Sequence, residues 1–336
     1  MRIAINGYGR IGRSFVRALA EREGAGWQAP FTLAAINDKG RPEDLLYLTR
    51  YDTTHGRLAE PAELIEGMLR IGKQAPMLLE QPRPELLPWG ELGVDVVLEC
   101  TGFFATKDKA MAHIEGGAKH VVVSQPAGSD VKTIVYGVNH ETLEASDQIV
   151  SNASCTTNCL APVAKALQDT VGIESGLMTT TYAFTNDQVL TDVYHSDLRR
   201  ARSATHSMIP TKTGAAAAVG LVMPELKGKL DGFALRVPIP TGSITDLTLV
   251  SEKKVTVEEI NAAYKKAAEG ELKGILMYTE DPIVSSDIVG DPHSSIYDSG
   301  LVRVIDNTVK LSSWYDNEWG YSNRLVELTA LVASKL

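Results

Sequence analysis

Short apolar segments alternate with segments of helical periodicity through the first half of the chain. The pattern predicts helices at 13–23 and 42–52 and strands at 2–7, 31–37, 94–100, 120–124 and 133–139. Residues 54–92 are rich in Pro and Glu, and we expect loops with minor strands there. Alternation of buried strands with helices is typical of a parallel sheet with right-handed crossovers. We therefore predict an α/β domain with a Rossmann-type doubly wound parallel sheet.

The second half of the chain has a different pattern. Residues 248–270 read as a strand, a turn and an amphipathic helix, and residues 294–316 as strands joined by a tight turn at Asp306-Asn307. Such strand pairs favour a mixed or antiparallel sheet, and hence an α+β domain. The last segment, 322–336, has helical periodicity. We expect domains at 1–154 and 155–318, with 319–336 forming a C-terminal helix that packs back on the first domain.

Composition and charge narrow the class of partners. The 336 residues carry a net charge of −9, which argues against nucleic acid or an anionic membrane as the main partner. We find no apolar run approaching the ~20 residues of a membrane span. The chain enters a predicted strand at once, so we expect no signal peptide. Three cysteines do not suggest a disulfide framework, which favours the cytoplasm.

A glycine motif follows the first predicted strand. Gly7, Gly9 and Gly12 have G-x-G-x-x-G spacing and lead into a helix, as the dinucleotide-binding motif requires. The three glycines would permit a tight turn, close approach of the pyrophosphate, and close packing of helix on strand. Asp38 ends the second predicted strand, where a carboxylate binds the ribose hydroxyls and repels a 2′-phosphate. The motif therefore predicts NAD rather than NADP.

One cysteine is placed for nucleophilic chemistry. The segment SNASCTTNC (151–159) is small and polar and runs into an apolar helical pattern, so a helix should begin near Cys155. A helix N-terminus stabilises a thiolate, which predicts a lowered pKa for Cys155. Cys159 lies one turn further in, and Cys100 ends an apolar strand, so both fit buried core positions better.

These motifs together resemble a known family. The glycine motif, SNASCTTNC, DLRRAR (197–202) and WYDNEWGYSNR (314–324) occur in the order found in phosphorylating glyceraldehyde-3-phosphate dehydrogenases, and the resemblance covers nearly the whole chain. It implies that Cys155 attacks the aldehyde, that hydride passes to NAD, and that inorganic phosphate cleaves the thioester. It also implies a glycolytic homotetramer, with the loop containing DLRRAR packed between subunits.

The resemblance further implies roles for individual residues. Cofactor contacts beyond the glycines and Asp38 fall on Arg10, Ile11, Thr101, Ser124, Asn317 and Tyr321. Contacts to the substrate phosphate and the attacking phosphate fall on Ser154, Thr156, Thr185, Thr213, Gly214 and Arg236. The backbone N–H of Cys155 would help to hold the oxyanion. No metal site is expected.

The sequence departs from the family pattern at the expected general base. The family has T-T-V-H-A-Y-T where residues 179–185 stand, so its catalytic histidine falls on Tyr182. A phenol with a pKa of about 10 is neutral at pH 7 and is a poor base, although it donates hydrogen bonds. Loss of a general base costs about 10²- to 10⁴-fold in rate. His206 is an alternative base, and Ala217 stands where the family usually has lysine.

Two other interpretations compete with a phosphorylating dehydrogenase of glyceraldehyde 3-phosphate. A relative that oxidises erythrose 4-phosphate is suggested by the segment 194–210, whereas Thr213-Gly214 favours the glyceraldehyde phosphate geometry. A non-catalytic NAD-binding relative is suggested by the missing histidine. The retained Cys155 argues against it, because a binding module needs no reactive thiol.

Overall fold

The computed structural model describes residues 1–335 and divides the chain into two compact units. The first unit contains Met1–Ile134, His140–Ser154 and the chain from Ser322 onward, and the second contains Val135–Asn139 and Cys155–Tyr321. Leu336, the last residue of the predicted C-terminal helix, lies outside the described residues. Within 1–335, no helix has the length and apolar character needed to cross a membrane.

The first unit is built on a nine-stranded sheet. Its helices are α1 (Arg10–Gly24), α2 (Pro42–Arg50) and α3 (Lys107–Glu115). Its strands are β1 (Arg2–Asn6), β2 (Thr32–Asn37), β3 (Tyr51–Asp52), β4 (Gly56–Arg57), β5 (Ala62–Ile65), β6 (Met68–Ile71), β7 (Met77–Leu79), β8 (Val96–Glu99), β9 (His120–Val123), β10 (Lys132–Thr133) and β11 (Ile149–Ser151). The sheet order is β10-β11-β9-β8-β1-β2-β7-β6-β5, and β3 pairs with β4 separately.

The order of this sheet reverses beside β1. The neighbours of β1 are β2 on one side and β8 on the other, and both pair with it in parallel. Strands β1, β8 and β9 are buried along nearly their whole length, which explains their continuous apolar sequences. Parallel sheets bind ligands at the carboxyl ends of the strands where the order reverses. The glycine motif follows β1 at that position, and the predicted doubly wound sheet is confirmed.

The second unit contains an eight-stranded mixed sheet, as predicted. Its helices are α4 (Cys155–Thr170), α5 (Ala215–Val222) and α6 (Val257–Glu269), and α7 (Trp319–Lys335) begins at its end. Its strands are β12 (Ile173–Ala183), β13 (Ile209–Lys212), β14 (Leu230–Val237), β15 (Ser243–Ser251), β16 (Leu276–Thr279), β17 (Ser295–Asp298), β18 (Arg303–Ile305) and β19 (Thr308–Tyr315). The order is β13-β14-β12-β15-β19-β17-β16, with β18 on β19. The pairs β12–β14 and β16–β17 are parallel.

Local chemistry explains several element boundaries. The Thr256 hydroxyl accepts a hydrogen bond from the N–H of Glu259, and the Glu259 carboxylate accepts one from the N–H of Thr256. This reciprocal capping box starts α6. The predicted tight turn is confirmed, with Asp306 in the left-handed region at φ 53° between β18 and β19. Asp316 Oδ1 accepts from the N–H groups of Glu318 and Trp319 and so caps α7.

One predicted strand is wrong. Residues 133–139 were expected to be extended, yet β10 ends at Thr133 and a turn follows. The N–H of Val138 donates to Val135 O, the N–H of Val135 donates to Asn139 Oδ1, and Gly137 has φ 89°. Glycine and asparagine favour such turns and here outweigh the apolar pattern. The strand that pairs with β9 is instead β11, which was not predicted.

A buried carboxylate organises the residues behind the carboxyl ends of β1 and β8. Glu99 Oε2 accepts from Asn6 Nδ2 at 2.7 Å, and Oε1 accepts from the N–H of Thr101 at 2.7 Å. His113 Nδ1 accepts from the indole N–H of Trp89, so Nε2 carries the proton and donates to Glu99 at 3.0 Å. Glu99 and His113 are both inaccessible to solvent, so each depends on the other for hydrogen bonding.

We predict that Glu99→Ala destabilises the first unit by about 3 kcal/mol or more, because it leaves four donors on Asn6, Thr101 and His113 without their acceptor. Urea denaturation followed by circular dichroism measures the change. Glu91→Ala removes an exposed carboxylate from the same unit and should leave the midpoint of urea denaturation unchanged. Equal midpoints for the two variants would contradict the role of the Glu99 network.

Candidate active site

A cleft of about 510 Å³ opens at the carboxyl ends of β1, β2 and β8 in the first unit. Four of the predicted cofactor residues line it: Gly7, Gly9, Asp38 and Thr101. The lining also includes residues that the sequence analysis missed: Asn6, Asn37, Lys39, Gln81, Pro82, Pro84, Cys100, Phe103 and Phe104. The two phenylalanines follow the Thr101-Gly102 turn, and Phe103 is 75% exposed. A conspicuous aromatic pair after a turn was a usable signal for a ligand-facing surface.

Close contacts require glycine at two positions of the motif, and the third position faces open space. Gly7 has φ 96°, and a Cβ there would lie 2.7 Å from the backbone nitrogen of Thr101. A Cβ on Gly12 would lie 2.4 Å from Gly7 O, so only glycine lets α1 pack this closely on β1. Gly9 is different, because nothing lies within 4 Å of its Cβ position. The open space at Gly9, before the N-terminus of α1, fits a pyrophosphate bound to free backbone N–H groups.

Asp38 stands directly after β2 at the edge of the cleft. One carboxylate oxygen accepts from the N–H of Tyr8 at 2.7 Å and the other from the N–H of Gly40 at 2.9 Å. These two bonds fix the orientation of the carboxylate against the glycine loop. The arrangement fits the ribose of a dinucleotide, since each oxygen can accept a further hydrogen bond from a hydroxyl.

Three other predicted cofactor residues of the first unit do not line this cleft: Arg10, Ile11 and Ser124. Arg10 Nη1 lies 2.6 Å from Asp52 Oδ2. Burial opposes ionisation of Asp52, but the N–H of His55 and the guanidinium of Arg10 lower its pKa to about 2. Ile11 is half-buried in the first turn of α1, and Ser124 follows β9 and hydrogen-bonds the thiol of Cys100.

Helix α4 of the second unit begins at Cys155, as the sequence predicts. The Cys155 sulfur lies 2.5 Å from the hydroxyl of Tyr182, which is the second-last residue of β12 and is buried. The N–H of Thr156 also hydrogen-bonds the sulfur. The predicted nucleophile and the residue at the expected base position are therefore in direct contact.

The pKa of Cys155 differs from the prediction made from the helix terminus alone. Burial raises the pKa of the thiol above its ordinary value, although the Tyr182 hydroxyl and the Arg236 charge act in the opposite direction. Burial also raises the pKa of Cys100 to about 12 and that of Cys159 to about 11. Desolvation therefore outweighs the stabilisation of the thiolate by the helix terminus.

Tyr182 belongs to a cluster of hydroxyl groups beneath α4. Its ring makes an edge contact with Tyr315, with centroids 6.1 Å apart. The Tyr315 hydroxyl lies 2.9 Å from the hydroxyls of both Thr156 and Thr180. Burial, followed by the neighbouring Cys155 and Tyr315, raises the pKa of Tyr182 well above its ordinary value. Tyr182 is therefore a hydrogen-bond donor and not a base over the physiological range.

Arg236 brings a positive charge to the same place. Its guanidinium carbon lies 4.0 Å from the centroid of the Tyr182 ring, and Nη1 donates to Ala183 O at 2.8 Å. Thr213 and Gly214 lead into α5, and the N–H of Ala215 donates to the Thr213 hydroxyl. A guanidinium and a helix N-terminus are both suited to binding oxyanions.

Two further predicted phosphate ligands lie in loops. Thr185 lies at a turn held by Gln188, and Ser154 is half-buried immediately before Cys155.

Asn317 is held at a fixed orientation before α7. Its Oδ1 accepts from the N–H of Gly242 at 3.2 Å and from the hydroxyls of Thr241 and Ser243 at 3.3 and 3.1 Å. Because the backbone N–H can only donate, the amide orientation is determined. The Asn317 oxygen is saturated, so this residue would contact a ligand through its amide N–H groups. Tyr321 is buried in the first turn of α7.

The sequence offers His206 as an alternative base. Its Nδ1 lies 2.8 Å from the Thr205 hydroxyl and 3.4 Å from the Ser203 hydroxyl. Within residues 1–335, its hydrogen bonds stay inside this loop and do not reach Cys155. The position of His206 therefore lends no support to a role as the base.

Over nearly its whole length the chain is similar to known proteins of one family. Residues 1–107 match the NAD binding domain of glyceraldehyde 3-phosphate dehydrogenase, and residues 154–317 match its C-terminal domain. The chain is 56% identical to the plasmid glyceraldehyde-3-phosphate dehydrogenase of Cupriavidus necator, over 99% of this chain and 98% of that protein. The Mycolicibacterium smegmatis and Mycobacterium tuberculosis enzymes of that name are also 56% identical, over 100% of this chain and 99% of theirs. The chain therefore belongs to the glyceraldehyde-3-phosphate dehydrogenase family and is an oxidoreductase whose N-terminal domain binds NAD.

Proposed function

We propose that the protein catalyses the phosphorylating oxidation of glyceraldehyde 3-phosphate to 1,3-bisphosphoglycerate in glycolysis, with Cys155 as nucleophile. The observation that carries the proposal is the contact of the Cys155 sulfur with the Tyr182 hydroxyl, beside the Arg236 guanidinium. A reactive thiol next to a hydroxyl donor and a fixed cation suits acyl transfer to phosphate. The family membership supports the same substrate.

In this proposal the thiolate of Cys155 attacks the aldehyde carbon and leaves a negative charge on the former carbonyl oxygen. The Cys155 backbone N–H and the Tyr182 hydroxyl donate hydrogen bonds to that oxygen, which disperses the charge. Loss of hydride converts the adduct into a thioester on Cys155. Phosphate oxygen then attacks the thioester carbon, the C–S bond breaks, and the acyl phosphate leaves while the thiolate is regenerated.

Tyr182 occupies the position of the catalytic histidine in the family pattern. The histidine there would pair with the thiolate and accept protons, whereas a phenol with a raised pKa only donates. Arg236 supplies positive charge near the sulfur but cannot accept a proton at physiological pH. We infer a slow enzyme at neutral pH, because Cys155 must lose its proton without an adjacent base.

The first unit would hold NAD through the cleft described above. Gly7, Gly9 and Gly12 would shape the pyrophosphate site, with Arg10 and Ile11 beside it, and Asp38 would bind the ribose. Thr101 and Ser124 would lie along the cofactor, and Tyr321 beside the nicotinamide. By the family resemblance, Asn317 would hold the nicotinamide carboxamide. The chemistry that NAD supplies when bound is acceptance of hydride.

The phosphate groups of the reaction would be bound by hydroxyls, backbone and one guanidinium. The set is Ser154, Thr156, Thr185, Thr213, Gly214 and Arg236. It combines hydrogen-bond donors with the positive end of α5, which reconciles anion binding with an acidic chain.

We also propose a homotetramer in the cytoplasm. Large apolar side chains are exposed in the loop after β12 and on the outer face of its sheet, as a buried subunit contact would require. They are Leu177, Leu190, Val193, Tyr194, Leu198, Met208 and Phe233. Arg200 pairs with Asp187 and Arg202 with Asp192, so these loop arginines act in shaping the loop. All three cysteines are free thiols, as expected for a reducing compartment.

The direct test of this function is NADH formation from glyceraldehyde 3-phosphate with and without phosphate or arsenate. We expect turnover that requires one of the two anions, and a lower rate with erythrose 4-phosphate. Absence of turnover at every pH from 6 to 10, with NAD still bound, would favour a non-catalytic relative.

We predict that the protein binds NAD about tenfold or more tightly than NADP, because a 2′-phosphate would face the Asp38 carboxylate. Asp38→Asn should narrow that ratio, since it removes the charge and keeps the side-chain shape. Fluorescence titration measures both affinities. Asp44→Asn changes an exposed carboxylate in α2 and serves as the control. Equal affinities in the unchanged protein would contradict the assignment of Asp38.

We predict that the rate rises about tenfold from pH 7 to 8, because the thiolate fraction of Cys155 grows in that proportion below its raised pKa. Tyr182→His should raise kcat at pH 7 by about 10²-fold and flatten the profile, because a base is restored. His206→Ala should leave kcat at pH 7 and the pH profile of the rate unchanged. If Tyr182→His does not raise kcat at pH 7 and His206→Ala abolishes activity, the general base lies at His206 and not at position 182.

A further inference from the structure

The positions of Tyr182 and Arg236 are coupled through the sheet. Strands β12 and β14 run in parallel, and Tyr182 is the register partner of Arg236. Side chains of register partners stand on the same face of a sheet, so the two point in one direction. The guanidinium carbon lies 4.0 Å from the centroid of the Tyr182 ring. That is well within the ~6 Å over which a ring face attracts a cation.

Few other interactions fix the orientation of the Arg236 guanidinium. Within residues 1–335, its guanidinium makes one hydrogen bond, from Nη1 to Ala183 O. Its Nε is buried and has no hydrogen-bond partner among those residues. A single hydrogen bond leaves the guanidinium free to rotate about it, whereas the ring face restricts the plane of the group. The unpartnered Nε–H is a donor that an oxyanion would satisfy, as in bidentate arginine–phosphate pairs.

We propose that the ring of Tyr182 is the platform that orients Arg236 for phosphate binding, so that Tyr182 is a positioning residue as well as a hydrogen-bond donor to Cys155. The inference rests on the proposed function, which makes Arg236 a phosphate ligand. It separates two roles of one side chain. The hydroxyl acts on the sulfur, and the face of the ring acts on the guanidinium.

Two kinds of substitution separate these roles. Tyr182→Phe removes the hydroxyl and keeps the ring, so it should lower kcat and leave phosphate affinity unchanged. Tyr182→Met and Tyr182→Leu remove the ring as well, and both fill part of its volume. They should weaken phosphate binding by roughly 3- to 30-fold, the range of a partly buried cation–π contact. Two ring-free variants keep the test usable if one of them fails to fold.

The experiment is calorimetric titration of each full-length variant with inorganic phosphate, with the KM for phosphate and kcat measured in parallel. Circular dichroism and NAD affinity report on folding. Tyr278→Leu is the matched control, because it removes a ring that lies 5.7 Å from the cationic nitrogen of Lys265 in the same unit. It should leave phosphate affinity unchanged.

Unaltered phosphate affinity in Tyr182→Met or Tyr182→Leu would overturn the proposal, and so would equal weakening in Tyr182→Phe. Arg236→Leu distinguishes this failure from failure of the proposed function. If Arg236→Leu abolishes phosphate binding while the ring-free variants bind normally, only the platform role is wrong. If Arg236→Leu binds phosphate normally, Arg236 is not a phosphate ligand and the platform role is wrong. The proposed function falls only if the unchanged protein shows no phosphate-dependent NADH formation from glyceraldehyde 3-phosphate.

Discussion

A hydrogen bond between the partly buried thiol of Cys155 and the buried phenol of Tyr182 determines the chemistry available to the second unit. Cys155 stands at the start of α4 and Tyr182 near the end of β12, so the packing of this helix on this strand brings sulfur and hydroxyl together. Burial raises the pKa of both groups. Each therefore holds its proton at neutral pH, and the thiolate must form against the cost of desolvation.

The charge that opposes this cost is fixed and cannot move a proton. Arg236 lowers the pKa of Cys155 but not enough to offset burial. An imidazole at position 182 would combine two functions, since it can carry positive charge beside the thiolate and also accept a proton. Here a guanidinium supplies the charge and a phenol supplies a hydrogen bond. The function that neither supplies is proton acceptance, and we infer that this limits the reaction.

Much of the fold and part of the site follow from local sequence. The glycine motif predicts a tight turn and close helix packing, and the structure has a steric reason for glycine at Gly7 and Gly12. The start of α4 could be predicted because small polar residues precede an apolar helical pattern. The strand expected at 133–139 failed because Gly137 and Asn139 form a turn that apolar periodicity does not record. The direction of the Cys155 pKa shift and the stacking of Arg236 on Tyr182 could not be predicted. Both depend on contacts between elements distant in sequence, set by the register of β12 and β14.

The most direct test of Cys155 as the proposed, phenol-bonded nucleophile is the pH dependence of cysteine alkylation. One equivalent of iodoacetamide is added between pH 6 and 10, and mass spectrometry follows each of the three cysteines. We predict that Cys155 is modified first, at a rate that climbs about tenfold per pH unit through pH 8, because only the thiolate reacts and its pKa is raised. A Cys155 rate that is already constant at pH 7, or earlier modification of Cys100 or Cys159, would contradict the account.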